Sequence, residues 1–243
     1  MELRGKRIVI TGCTSGIGLE MVRQLHAANK VIGVSRSEEK LERLSREFGS
    51  IDIFSGDLAC KADLEAVADS ISRHYDSIDL LINNAAIQNA ERFDSEDFCY
   101  DSIGPEIELN FTAVCRLCYL LLPLLNKESR SIIANVNSGL GLAAKTSSAV
   151  YCGTKGALDL FSQSLGYQLE QTNVKVLQGF LPLVDTPMTK GRGSGKMKAE
   201  DAVEGILKGV EQELSRCYIG KVGLLNFLLR LTPSLARKIM KKI

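Results

Sequence analysis

Tryptophan is absent from this chain, histidine occurs twice and proline five times. His26 and His74 each stand without metal-ligand company, so no metal site is expected. Neither sign of charge is in excess. Thirty Lys and Arg face 29 Asp and Glu, for a net +1, which gives no reason to expect nucleic acid or an acidic partner. No apolar run reads as long enough to cross a membrane. The opening "MELRGKRIVITG" runs straight into a strand and a turn rather than a leader. Repeats and low-complexity linkers are also lacking. The seven cysteines are an odd number scattered through core-like segments, which excludes a disulfide framework and implies reduced thiols in a cytoplasmic protein. Cys115 and Cys118 form C-x-x-C within "FTAVCRLCYLLLPLL", mid-helix among leucines, and read as packing thiols rather than a redox pair.

What is present is an ordinary globular balance, 45% apolar and 24% charged residues over 243 positions, enough for one large domain. Two kinds of segment alternate. β-branched runs at 7–11, 30–35, 51–57, 80–84, 131–138 and 174–181 read as strands. Segments of helical period at 18–28, 37–48, 61–75, 105–126, 150–171 and 199–215 lie between them. Strict rotation of strand and helix predicts a doubly wound parallel sheet, α/β and Rossmann-type, as a single domain over 1–243. The polar, glycine-rich "TKGRGSGK" at 189–196 reads as a mobile loop.

The first strand ends in "VITGCTSGIGLE", with Gly12, Gly16 and Gly18 beside Thr14, Ser15 and Ile17. A glycine turn between strand and helix lets the backbone approach a pyrophosphate, and the helix N-terminus offers free N–H groups. The second strand ends in Ser35 and Arg36, where an NAD site usually has an acid for the ribose 2′-hydroxyl. An arginine there pairs with a 2′-phosphate, which favours NADP(H) as cofactor.

Tyr151 and Lys155 stand four apart on a predicted helix and share a face. A phenol near pKa ~10 is a poor acid at neutral pH. An adjacent ammonium stabilises phenolate, as does the positive ring of an oxidised nicotinamide, and together they are expected to supply the roughly 4 kcal/mol that lowering the phenol by ~3 units takes. Ser138 ends the strand "IIANVNS", at the end of a parallel sheet that opens onto a ligand crevice.

Together these residues resemble the short-chain dehydrogenase/reductase family, in its single-domain branch of about 250 residues. The marks are "TGCTSGIG", Asp57 in "SGDLA", "NNAA" at 83–86, Asn110 in "ELNF", Ser138, "YCGTK" at 151–155 and "VDTPM" at 184–188. The resemblance implies hydride transfer between NADP(H) and a carbonyl or alcohol, with Tyr151 as general acid/base and Ser138 on the substrate oxygen. It implies that Lys155 holds the nicotinamide ribose and that the Asn110 carbonyl holds a relay water. It assigns Asp57 and Leu58 to the adenine, and Asn84, Ala85, Val184 and Thr186 to the rest of the cofactor. Asn83 is assigned to steadying the central strand. It also implies a homodimer or homotetramer through the helices at 105–126 and 150–171.

The chain departs from that family at "FLPLVDTPM". Leu181 and Pro182 stand where Pro-Gly is usual, and only about ten residues follow Met188 where a long lid is common. The short lid and the "LPLVDT" form look like a sub-branch labelled by association with lipoteichoic acid D-alanylation. A catalytically silent cofactor-binding sensor or scaffold is the alternative function. From Leu214 onward the sequence has no acid and seven bases, and its apolar tail at about 224–243 has two readings. The leucines roof the substrate pocket or pack in a dimer, or the tail lies on an anionic membrane surface; the first is favoured.

Overall fold

The structure is a computed structural model describing residues 1–242. Strands β1 (Arg7–Thr11), β2 (Lys30–Ser35), β3 (Asp52–Ser55), β4 (Leu80–Asn83), β5 (Ser131–Ser138), β6 (Val174–Leu181) and β7 (Arg216–Tyr218) form one sheet in the order β3-β2-β1-β4-β5-β6-β7. Every pairing is parallel. The order reverses between β1 and β4, so crossovers run to one face on one side of that point and to the other face beyond it. This is the Rossmann-type arrangement the alternation predicts, and it opens a crevice at the strand ends near the reversal.

The strands are buried on both sides, and successive residues feed opposite layers. Ile8 and Ile10 join one core with Met21 of α1 (Gly16–Leu25), Leu41 of α2 (Glu38–Phe48) and Ile206 of α7 (Ala199–Glu211). Val9 joins the other core with Leu64 of α3 (Lys61–His74), Leu117 of α5 (Ala113–Leu125) and Leu158 of α6 (Ala149–Gln168). Helix α2 shows why its ends fall where they do. The Ser37 hydroxyl accepts from the Lys40 N–H at 3.4 Å, Glu38 and Glu39 occupy the first turn, and Gly49 closes the helix in the left-handed region.

The helix expected at 105–126 is built in pieces: α4 (Ile103–Ile107), a π turn (Glu108–Thr112) and α5. The continuous helical stretch Tyr100–Leu125 has a mean hydropathy of 1.4 over its apolar window, so a run long and apolar enough to cross a membrane does exist, against the expectation. Its apolarity has a packing cause. Leu117, Leu121 and Leu125 lie at most 2% exposed against the sheet, each contributing roughly 1.5–3 kcal/mol relative to exposure.

Strand β7 was not expected, since the pattern read as helix to 215. Three residues are too few to show a period. Arg216 fixes it: its guanidinium pairs with Asp159 of α6 at 2.8–2.9 Å and lies over the Phe180 ring at 4.9 Å. Beyond β7, α8 (Lys221–Leu231) and α9 (Pro233–Met240) leave the layered core and cross the C-terminal edge of the sheet. The segment 189–196 is fastened rather than loose. Lys196 Nζ donates to the Thr189 carbonyl at 2.7 Å, and Arg192 donates to the Gln88 carbonyl and to its Oε1, each at 3.2 Å.

Candidate active site

The ends of β1, β4, β5 and β6 bring Thr11, Asn83, Ser138 and Leu181 to one sheet edge. Thr11 ties two of those ends together. Its hydroxyl accepts the backbone N–H groups of Asn84 and Ala85 at 2.9 and 3.0 Å. The Asn84 amide returns a hydrogen bond to the Thr11 carbonyl at 2.9 Å. Gly12 follows with φ +67, which favours glycine. At Gly18 an added Cβ would stand 2.2 Å from the Gly12 carbonyl oxygen, so the helix reaches the turn only because that position has no side chain. Thr14, Ser15, Gly16 and Ile17 line a cavity of about 940 Å³ that opens from this turn. Gly18 lies behind them and braces the turn rather than lining the cavity.

At one end of the cavity, Ser35 and Arg36 sit at the tip of β2 with Asp57 and Leu58 beyond β3. The Ser35 and Thr14 hydroxyls are hydrogen-bonded at 3.0 Å. Asp57 lines the cavity, and its Oδ1 accepts the Ala59 N–H at 3.0 Å. Lys40 also lines this end. It was missed in the sequence; it stands in the first turn of α2, just after Arg36 and the Ser37 cap. Asp57 is the one acid lining the cavity, against six cations: Arg36, Lys40, Lys145, Lys155, Arg192 and Lys221.

The other end holds Ser138, Tyr151 and Lys155. The Ser138 hydroxyl accepts the Leu140 N–H at 3.1 Å and also hydrogen-bonds toward the Tyr151 phenol. Lys155 is 4% exposed; its Nζ donates to the Val136 carbonyl at 2.8 Å and stands 5.7 Å from the Tyr151 ring centroid. Beside this ammonium alone the phenol is not lowered. Burial pushes Tyr151 up to about 12, with the Ser138 hydrogen bond working the other way and Cys152 and Glu106 adding to the rise. Burial likewise brings Lys155 down to about 8. The wall that creates the site desolvates both groups, and the lysine proton is spent on a strand carbonyl instead of the phenol.

Asn110 lies in the π turn, 1% exposed and outside the cavity lining. Its side chain accepts the Ile87 N–H at 2.9 Å and donates to the Ile87 carbonyl at 2.8 Å and to Thr154 at 3.4 Å. The amide is therefore committed to clamping the loop after β4 onto α6, which leaves only the backbone for a relay. Asn83 Nδ2 donates to Asn135 Oδ1 at 2.8 Å, joining β4 to β5 as expected. Asn84, Ala85, Val184 and Thr186 all line the cavity. Val184 is pinned by a bridge to Met197 and by the Thr189 hydroxyl on its carbonyl at 2.6 Å, so the missing glycine before it leaves an ordered segment.

Sequence reasoning missed a polar brace beside Ser138, Tyr151 and Lys155. Gln88 Nε2 donates to the Ser148 hydroxyl at 3.1 Å while Arg192 holds Gln88 from the far side. Ser148 is buried with φ 58, a left-handed residue that is not glycine, just before α6. No local signal marks it. Glu106 is 1% exposed, accepts the Asn89 N–H and side-chain amide at 3.3 and 2.9 Å, and is raised by burial.

Comparison with known proteins agrees with this geometry. A family model described as short chain dehydrogenase matches residues 6–196. The chain is 34% identical over 221 residues to the uncharacterized oxidoreductase DltE of Bacillus subtilis, covering 87% of each. A short chain dehydrogenase from Burkholderia cenocepacia, solved in complex with NADP, superposes with TM-score 0.89 at 21% identity over 99% of both chains. One from Burkholderia phymatum, solved with NAD, gives 0.84 at 19% identity over 95% of this chain and 96% of that one.

The Gly18 contact makes a direct prediction. Gly18→Ala must push the turn away from α1, costing about 1–3 kcal/mol and weakening dinucleotide binding at least about tenfold. Urea unfolding and titration calorimetry read the two effects. Unchanged affinity would mean that the turn does not hold the dinucleotide.

Proposed function

Because the chain belongs to the short-chain dehydrogenase family, we propose that it is an NADP(H)-dependent oxidoreductase acting on a carbonyl or alcohol, with Tyr151 as general acid in reduction. The observation that carries this reading is the meeting of Ser138, Tyr151 and Lys155 at one end of a cavity whose other end is the glycine turn.

The residues fit a nicotinamide dinucleotide. Gly12 and Gly18 give the close backbone approach a pyrophosphate requires, and the first turn of α1 adds unpaired N–H groups. Val184 and Thr186 also line the cavity, and Lys155, beside Tyr151, would hold the nicotinamide ribose. The solved neighbours hold NADP in one case and NAD in another, so they support a dinucleotide of either kind. The choice of NADP rests on Arg36, at the end of β2 where NAD sites have an acid, and on Lys40 in the first turn of α2. When bound, the dinucleotide supplies the hydride.

This chain's own residues do the rest. Ser138 and Tyr151 donate to the substrate oxygen and fix the carbonyl carbon in place. Tyr151 keeps its proton throughout the neutral range, since its phenol stands at about 12, and gives it up as charge develops on that oxygen. Lys155 as a cation stabilises the phenolate left behind. For proton return, the Asn110 carbonyl in the π turn would hold a water that links Lys155 to solvent. Apolar walls from α8 and α9 exclude bulk water.

The seven cysteines are all free thiols, with Cys60 and Cys99 exposed, which suits a reducing, cytoplasmic setting. The outward faces of α5 and α6 leave Tyr119 78%, Leu160 69% and Tyr167 62% exposed. These faces suit pairing of two copies.

Three outcomes test the reading. Tyr151→Phe abolishes NADPH oxidation with a carbonyl panel while calorimetry shows near-normal cofactor affinity; retained turnover would sink the acid role. The reductive rate of the wild type falls as pH rises through about 8, because Lys155 is a cation below that point and neutral above it. A flat profile to well above that value would exclude Lys155 as the supporting charge. Arg36→Asp costs NADPH binding about 2–4 kcal/mol and erases its advantage over NADH; equal affinity of the wild type for both would show that Arg36 points away. For assembly, light scattering over a dilution series finds a dimer or larger, and a fully active monomer would dismiss the pairing.

A further inference from the structure

Helices α8 and α9 face two ways. Val222, Leu225 and Leu228 turn inward and line the cavity, as do Ala236 and Met240. The expectation that tail leucines roof the pocket is thus supported, and the roof is tied down where the Thr146 hydroxyl donates to the Lys241 carbonyl. The opposite face is apolar as well. Leu224, Phe227 and Leu231 fall at i, i+3 and i+7 and are 63%, 56% and 64% exposed. Leu235 and Ile239, one turn apart on α9, continue the stripe at 51% and 44%. At about 100° per residue, Lys238 lies beside Leu235 on α9, and Arg230 lies beside Phe227 on α8. Lys242 follows just past the end of α9, while Arg237 and Lys241 fall across that helix from the stripe.

We propose that this outward face docks on an anionic lipid bilayer. An apolar stripe edged by bases is the pattern of a helix lying in the interface plane, where the stripe enters the acyl boundary and the bases meet anionic headgroups. The charge pattern also argues against a second copy as occupant. From Leu214 to Lys242 there are seven bases and no acid, so a two-fold contact would set like charges against themselves. Among the described residues no carboxylate forms an ion pair with Arg230, Arg237, Lys238, Lys241 or Lys242. Leu224 and Ile239 belong both to the outer stripe and to the cavity wall. The docked face therefore includes the cavity rim. If the oxidoreductase reading above holds, an aliphatic carbonyl passes from the bilayer to Tyr151 along an apolar path.

Co-sedimentation with vesicles tests the docking without reference to turnover. The full chain is mixed with phosphatidylcholine vesicles, alone or with a one-third share of phosphatidylglycerol. The wild type pellets with the anionic vesicles at least about tenfold more strongly than with neutral ones, and high salt releases it. Phe227→Ser with Leu231→Ser, and separately Lys238→Gln with Lys242→Gln, each weaken pelleting about tenfold or more. None of these four lines the cavity, so NADPH oxidation with a short water-soluble aldehyde stays unchanged and reports on the catalytic reading by itself. Circular dichroism confirms that the variants fold. The proposal is overturned if the wild type does not pellet, if neutral vesicles bind it equally, or if both folded double variants pellet like wild type. It is equally overturned if the Phe227/Leu231 variant turns a vesicle-indifferent dimer into a monomer, which would make the face a self-interface.

Discussion

Thr11 closes β1 with a hydroxyl that accepts two backbone N–H groups from the chain leaving β4, while Asn84 binds back to the Thr11 carbonyl. These bonds stand at the point where the strand order reverses, and the cleft depends on them. If the two strand ends parted, the glycine turn would lose its partner surface and the cavity its floor. Asn83 and Asn135 extend the seam one strand further, and the Asn135 amide passes it to Ser162 on α6 at 2.8 Å. The helix carrying Tyr151 and Lys155 is therefore linked through buried polar contacts to the strand that begins the cofactor turn. Buried hydrogen bonds of this kind hold register because losing one partner strands the other in a dry core.

The same dryness sets the electrostatics. Tyr151 and Lys155 both titrate away from their charged forms because their wall excludes water. The pair is thus a neutral phenol beside a weakened ammonium. The six cations around the cavity give the cleft a positive field that the near-neutral whole chain conceals.

The roof is where this chain parts from a plain layered α/β domain. With only a short segment after Met188, closure falls to α8 and α9, which are held by Arg216 on Asp159 at their base and by Thr146 at their tip. Arg192 and Gln88 brace the side wall through Ser148. These supports come from residues far apart in sequence, and each contact joins segments that do not neighbour each other in the chain.

That separation divides what the residues alone determine from what folding adds. Strand and helix rotation made the parallel sheet legible because burial on both faces erases polar alternation and lengthens the helical segments between. The glycine turn, Ser35, Arg36, Ser138, Tyr151 and Lys155 could be singled out from the sequence because each stands at a strand end or at helical spacing, and the structure sets them around one cavity. Strand β7 escaped notice because three residues carry no period, and the π turn at Asn110 because a widened turn leaves no mark on an apolar pattern. The titration of Tyr151 could not be read from its spacing to Lys155. Spacing brings the two onto one helix face, but burial and the Val136 carbonyl decide what that nearness does, and both are properties of the packed wall. The double-faced roof is likewise tertiary: the leucines of α8 are all alike in the sequence, and only the position of the cavity beneath them decides which line it and which remain exposed.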